Sequence, residues 1–406
     1  MPFSFSLYSP KISVMSSIYL DWAATAPPDP EIQEQILQVS RALFANPSAV
    51  HGAGREAEKL LDDCRQRMAK VLGCRTKEVV FTSGGTESNN MVLFSLLHKK
   101  RDRRIVISGI EHPSLYQPAQ TLKRLGFEVA LVPADASRRI DPNRILSSLD
   151  ERTALVAVML VNNETGAIQP LAEISEALRD FQNRSGKKIL LHTDAVQGFG
   201  KIPFQPDLLG VDSAALSAHK IGGPRGVGAL YVRAGRIQEF LYSGGGQESG
   251  LRPGTENLPG IYGFVLAAEK TCPRMAENHR RAEATMGSFI EELRSLPEVI
   301  LTNGERLEKA GSPFSPYILN FSIPPLPGEL LVRVCEEEGF LISTGSACSS
   351  KKKDRFRVLE NMGISQEIAF SALRLSIGPG VAGPQLRGLA AALKRRIPEL
   401  LKISTG

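Results

Sequence analysis

Five short segments carry side chains able to do chemistry. Residues 83–88 read S-G-G-T-E-S, so Gly84, Gly85 and Thr86 offer backbone N–H groups, a hydroxyl and, where a helix follows, the positive end of its dipole. That set suits a phosphate; a plain tight turn with Thr86 as N-cap would read the same way. Residues 193–197 read T-D-A-V-Q, placing Asp194 at the end of an apolar run. Ligands of open α/β sheets sit outside such strand ends. Asp194 there could hold a buried cation, such as a protonated ring nitrogen, or could simply cap the next helix. Residues 217–220 read S-A-H-K. Lys220 leaves a strand on a short loop, where it is a poor core residue and a Schiff-base amine if its surroundings lower its pKa. In E-H-P-S (111–114), His112 lies just past another strand, in a position to stack on a ring. The fifth segment, L-I-S-T-G-S-A-C-S-S-K-K-K-D-R-F (341–356), holds Cys348 among small polar residues. A structural thiol usually lies among Leu, Val and Ile.

A phosphate cradle, an acid at a strand end and a lysine on a later strand's exit are together what a pyridoxal phosphate enzyme needs. The protein must hold the phosphate, keep the ring nitrogen protonated and bond the cofactor through an amine. No G-K-[ST] follows the glycines, so residues 83–88 are not a nucleotide-binding P-loop.

The elements that must position these residues follow from hydrophobic pattern. Residues 78–82, 104–108, 127–132, 154–161 and 188–193 read as strands, nearly continuous in apolar residues. Helical stretches separate them, such as L-A-E-I-S-E-A-L-R-D-F-Q (171–182). Such alternation predicts an α/β fold, with a mostly parallel sheet flanked by helices on both faces. Strands at 213–217 and 226–232 flank H-K-I-G-G-P-R, which predicts a Gly-rich hairpin. After about residue 275 a long helix (276–295), strands at 318–323, 340–344 and 372–377, and a last helix from Pro384 predict a smaller α/β domain. The expected division is 18–275 and 276–406, with the first dozen residues of the large domain packing on the small one.

Composition bounds the rest. The chain of 406 residues is 42% hydrophobic and 23% charged, with a net charge of +6 from 49 basic and 43 acidic residues. This is ordinary for a soluble globular protein. No apolar run approaches a membrane span. The five cysteines are odd in number and form no C-x-x-C pair, which argues for a reducing, cytoplasmic setting and against a disulfide framework or a metal site. The clusters K-K-R-D-R-R (99–104) and K-K-K (351–353) could touch RNA or an acidic partner, but solvated surface is the simpler reading and no direct nucleic acid is required. The first residues lack the charged and apolar regions of a signal peptide. Ordered sequence is expected from about Ile18, with Met15 as the expected start.

The ordered motifs also carry a resemblance. Y-L-D-W-A-A-T-A-P (19–27), N-P-S-A-V-H-G-A-G (46–54), F-T-S-G-G-T-E-S-N-N (81–90), V-N-N-E-T-G (161–166), T-D-A-V-Q, S-A-H-K-I-G-G-P-R-G-V-G-A-L-Y-V, G-G-G-Q-E-S-G-L-R-P-G-T-E-N (244–257) and S-T-G-S-A-C-S-S (343–350) occur in that order. The chain resembles the cysteine desulfurases of the NifS/IscS type, in the class V aminotransferase family with the aminotransferase fold. The resemblance implies pyridoxal 5'-phosphate bound to Lys220, with Asp194 on the pyridine nitrogen, Gln197 on the ring hydroxyl and His112 stacked on the ring. Gly85, Thr86, Ser217 and His219 would hold the phosphate, and Thr255 would reach it from the other subunit of a homodimer. Asn163 and Arg374 would grip the carboxylate of L-cysteine, and Cys348 would take its sulfur. The products would be alanine and an enzyme persulfide, whose sulfur passes to an acceptor such as an iron–sulfur scaffold or a thiolation protein. A loop of Ser, Gly and Ala suits a thiol that must reach both substrate and acceptor. Lys351–Lys353, if close, would raise its thiolate fraction.

Departures from the pattern bear on the acceptor and on substrate fit. The segment around Cys348 has the long S-x-G-S-A-C form rather than the His-rich form of the SufS-like branch, yet S-K-K-K-D-R-F-R follows where a mixed apolar and acidic stretch is common. Ser249 stands where Arg is frequent, and Trp22 where Tyr or Asn is frequent. Selenocysteine lyase, or another class V pyridoxal phosphate transferase, is the alternative.

Overall fold

The computed structural model describes residues 17–98, 103–237, 243–302, 313–345 and 355–404. Cys348 and the lysines at 351–353 lie outside the described residues. The strands are β1 (Ile18–Tyr19), β2 (Val79–Thr82), β3 (Arg104–Ser108), β4 (Glu128–Val132), β5 (Thr153–Ala157), β6 (Leu190–Asp194), β7 (Ser213–Ser217), β8 (Gly228–Val232), β9 (Ile300–Leu301), β10 (Ile318–Ser322), β11 (Phe340–Leu341) and β12 (Ala372–Ser376).

Seven strands form one sheet in the order β2-β8-β7-β6-β5-β3-β4. The five from β4 to β7 run parallel, while β8 is antiparallel to both β7 and β2. The sheet is therefore mostly parallel, as the apolar runs predict. The expected Gly-rich hairpin is β7 and β8, in register from Ser213↔Val232 to Ser217↔Gly228. Successive strand residues point to opposite faces, and each face has its own core. Phe81, Val106, Val156 and Leu216 pack with Met68 and Leu72 of helix Gly52–Leu72, Leu178 of helix Leu171–Ser185 and Phe264 of helix Leu258–Thr271. Val80, Ile105, Ile107 and Leu155 face the other way, onto Met91, Leu93, Leu115 and Leu122 of helices Gly85–Phe94 and Pro113–Arg124. No described helix is long and apolar enough to cross a membrane.

The strand expected over 154–161 is shorter. β5 ends at Ala157, level with the end of its pairing to β3 at Ile107. Beyond it, Val158 and Leu160 still donate to the carbonyls of His192 and Asp194, but nothing continues the ladder on the β3 side. The chain then turns, bridging Val161 to Ile168. The strand expected over 340–344 reduces in the same way to β11 and a bridge from Ser343 to Arg374.

A third core lies between helix Met275–Arg294, helix Gly383–Ser404 and a small antiparallel sheet of β12, β10 and β9. Leu20 and Ala23 belong to this core, and β1 pairs with β11. The segment after β1 thus runs from the small sheet, where Asp21 bridges Ser376, to the turn after β7, where Ala26 N–H donates to the His219 carbonyl.

Candidate active site

A cleft of about 290 Å³ opens at the C-terminal ends of the parallel strands, on the side facing the small sheet. Asp194 is the last residue of β6 and Ser217 the last of β7. Lys220 ends the short turn Ala218–Lys220 that follows, and Gly85 and Thr86 begin helix Gly85–Phe94. His112 caps helix Pro113–Arg124, Asn163 lies past β5, and Arg374 reaches in from β12. Gln197 and His219 complete the wall, so ten of the expected residues line this one cleft. Thr255 does not line the cleft of its own chain and is exposed.

Local sequence explains the start of helix Gly85–Phe94. Gly84 precedes it at φ 150°, ψ −179°, a conformation open in practice only to glycine. A Cβ on Gly85 would lie 2.5 Å from Cγ2 of Val196, so the helix end is seated against the segment after Asp194. The first N–H groups of any helix lack intrahelical acceptors. Here Gly85 and Thr86, at that end, line the cleft. Thr86 lies inside the helix rather than at its cap, so the plain capped turn is not what the structure adopts. Asp194 likewise caps no helix. One oxygen accepts from the N–H of Val196 at 3.0 Å, the other from Asn89 Nδ2 at 2.7 Å.

Lys220 Nζ donates to the carbonyls of Ala23 and Ala24 at 2.6 and 2.7 Å. Gln197 Nε2 donates to the same Ala23 carbonyl at 2.8 Å, and its Oε1 accepts from Lys201 Nζ at 2.9 Å. Arg374 is 5% exposed; it donates to Asp21 Oδ1 at 2.7 Å and to the Asn163 carbonyl at 3.1 Å. Its Nε and the Oδ1 of Asn163 are buried without a partner. An unmet donor and an unmet acceptor in one wall mark a place for a polar ligand.

Electrostatics are set by burial. His219 is pushed down to about 4 by burial and by the charge of Lys220, and so is a neutral imidazole at neutral pH. Burial also lowers His112, with Lys220, Arg357 and Arg374 adding to it and Asp194 opposing. Burial raises two flanking carboxyls, Glu111 to about 8 and Glu164 to about 7. Near neutral pH Glu111 is therefore largely protonated and Glu164 about half so. Lys201 is pushed down to about 7 by burial, Lys220 and Arg374.

The motif reading missed three residues. Asp21, within Y-L-D-W, holds Arg374. Lys201 holds Gln197, and Asn89 holds Asp194. Only the fold reveals the first and third pairings, which join separate segments, whereas Lys201 and Gln197 stand four positions apart. The two departures fall outside the cleft. Trp22 packs beneath Gly378, where a Cβ would lie 2.1 Å from its ring, and lines an adjoining cavity of about 610 Å³. Ser249 is exposed, with φ 58°.

The profile of the aminotransferase class-V family matches residues 18–381. A cysteine desulfurase IscS of Dictyoglomus turgidum is 37% identical, over 95% of this chain and 96% of its own. A NifS/IcsS protein homolog of Lactobacillus delbrueckii subsp. bulgaricus is 40% identical over 88% and 91%. Among solved structures, a NifS-like protein superposes with a TM-score of 0.85 at 33% identity, covering 95% of this chain and all of that one (100%).

Proposed function

We propose, from the premise that this chain belongs to the aminotransferase class-V family, that it is a pyridoxal-phosphate-dependent cysteine desulfurase, converting L-cysteine to alanine and keeping the sulfur as a persulfide on Cys348. What supports this most is convergence. Lys220, Asp194, His112 and Arg374 come from four separate stretches and line one cleft, and the relatives named cysteine desulfurase match nearly the whole chain.

The residues fit the cofactor. The N-terminus of helix Gly85–Phe94, with Thr86, Ser217 and neutral His219, would take the phosphate as donors. Asp194 would face the ring nitrogen, Gln197 the ring hydroxyl, and Lys220 would carry the cofactor. Pyridoxal phosphate, when bound, supplies an electron sink for the electrons of the substrate's Cα–H bond. The protein does the rest. Arg374 is held by Asp21 and the Asn163 carbonyl, with Nε and Asn163 Oδ1 still unmet; it would orient the substrate carboxylate. Lys220 and His112, both in the cleft wall, would move protons. The Cys348 thiolate would attack the substrate sulfur. An S–S bond forms as the Cβ–S bond breaks, and the bonding pair stays with carbon, which is protonated to give alanine. Gly345, three residues before Cys348, lines the cleft; three residues of chain reach at most about 10 Å. Thr255 would serve the partner subunit of a homodimer. A cytoplasmic iron–sulfur scaffold or thiolation protein would receive the sulfur.

The test is turnover of L-cysteine without added keto acid. With a dithiol reductant present to release the persulfide sulfur, alanine and sulfide should appear in equal amounts, and a requirement for a keto acid would instead mark a transaminase. Selenocysteine run beside cysteine separates desulfurase from lyase.

Two substitutions probe the assignments. Asp194→Asn should leave cofactor bound but slow the reaction about a thousandfold or more, since a neutral amide does not stabilise a ring cation and each decade corresponds to about 1.36 kcal/mol. A rate loss under about tenfold would remove Asp194 from this role. Arg374→Lys keeps the charge but loses the planar fork. One lost charge-assisted hydrogen bond, about 1.5 kcal/mol, should raise the apparent KM for cysteine about tenfold. An unchanged KM would place the carboxylate elsewhere.

A further inference from the structure

We infer that Asn89, with Ser114, is a positioning residue of this site: it locks the Asp194 carboxylate in place and fixes which nitrogen of His112 carries the proton. Asn89 is fully buried and lies on helix Gly85–Phe94, one turn beyond Gly85. Its Nδ2 donates to Asp194 Oδ2 at 2.7 Å and to Ser114 Oγ at 2.8 Å. Its Oδ1 lies 2.9 Å from His192 Nε2. Ser114 Oγ in turn lies 2.7 Å from His112 Nδ1, and the Ser114 backbone N–H points at that same nitrogen at 3.1 Å.

The partners leave one consistent set of proton positions. A backbone N–H can only donate, so His112 Nδ1 accepts and carries no proton. The proton of neutral His112 therefore sits on Nε2, the nitrogen left for the cleft. Ser114 Oγ receives from Asn89 and so gives its own proton to His112 Nδ1. Reversing the Asn89 amide would set its oxygen against the Asp194 carboxylate, so Nδ2 faces Asp194 and Oδ1 accepts from His192 Nε2–H. His192 Nδ1 then accepts from Ser213 Oγ at 2.9 Å. Burial holds His192 neutral, down to about 3, so this end of the chain does not change its proton over the working pH range. The charged groups around His112 are Asp194, Lys220, Arg357 and Arg374. Of these, Asp194 shares Asn89 as a hydrogen-bond partner with Ser114. One amide thus ties the acid at the strand end to the imidazole that faces it across the cleft. The proton positions stand on geometry alone; their catalytic use rests on the desulfurase reading above.

Two experiments test this. In the full-length cofactor-free protein with ¹⁵N-labelled histidine, His112 and His192, assigned with His112→Gln and His192→Gln, should both show the Nε2–H form. A His112 signal protonated at Nδ1 overturns the inference. This measurement needs no cofactor, so its failure leaves the desulfurase reading standing. In the holoenzyme, Asn89→Asp keeps the side-chain shape but removes both amide hydrogens. It should lower kcat about tenfold or more at near-constant KM, since Arg374 and Asn163 are untouched. It should also move the pH transition of the cofactor's visible band by about one unit or more. Ser114→Ala, which keeps the Asn89–Asp194 bond, should leave that transition in place. A kcat within about twofold of the unsubstituted enzyme, with an unmoved band, would reduce Asn89 to a core polar group. If Asn89→Asp fails to fold, the histidine spectrum of the unsubstituted protein decides.

Discussion

Lys220→Ala is expected to abolish both alanine formation and the visible absorbance of the lysine-linked cofactor. Lys220 ends the turn after β7, and its amine is aimed across the cleft at the carbonyls of Ala23 and Ala24. The other lysine of this region cannot take its place. Lys201 is an amine lowered in pKa, to about 7, but it is committed to Gln197 Oε1 and does not line the cleft. Cofactor held without a lysine linkage should keep the ring contacts of Asp194 and Gln197 yet show no lysine-type band. A normal spectrum in Lys220→Ala would mean that the amine has been misassigned.

Cys348→Ser should separate the two halves of the reaction. Adding cysteine should still change the absorbance spectrum, because that depends on Lys220, Asp194 and the cofactor. Alanine should not appear. A serine hydroxyl stays protonated near neutral pH and attacks sulfur poorly, whereas a free thiol with a pKa of about 8.5 supplies some thiolate. The remaining cysteines should not rescue the step. Cys64 and Cys335 are buried, Cys74 and Cys272 partly so. Burial raises Cys64, Cys74 and Cys335 to about 12 and Cys272 to about 11, and none lines the cleft. Strong retention of activity on selenocysteine beside total loss on cysteine would favour a lyase, since selenium leaves more readily.

Much of this architecture was legible in the residues. The apolar runs marked β2 to β8, and the glycines between β7 and β8 marked a hairpin. Ten residues expected at one site converge there because most sit at or just past a strand end or at a helix start, the places a parallel sheet brings together, while Arg374 reaches in from the middle of β12. Strand ends were less legible. Val158 to Val161 are as apolar as β5 itself, and only the end of β3 beside them shows where the ladder stops. The supporting contacts were not legible at all. Asp21 meets Arg374 across 353 positions and Asn89 meets Asp194 across 105. No local pattern encodes such a distance. The fold supplies it, through the bridge from Asp21 to Ser376 and the seat of Gly85 on Val196.

The most direct test of the account is the mass of the peptide containing Cys348 after the holoenzyme is mixed with L-cysteine and quenched without reductant. That peptide should gain one sulfur atom, with one alanine released for each sulfur bound, and neither should occur in the Lys220→Ala protein. Alanine formed in the same amount with Cys348 unmodified, or by a Cys348→Ser protein at full rate, would contradict it.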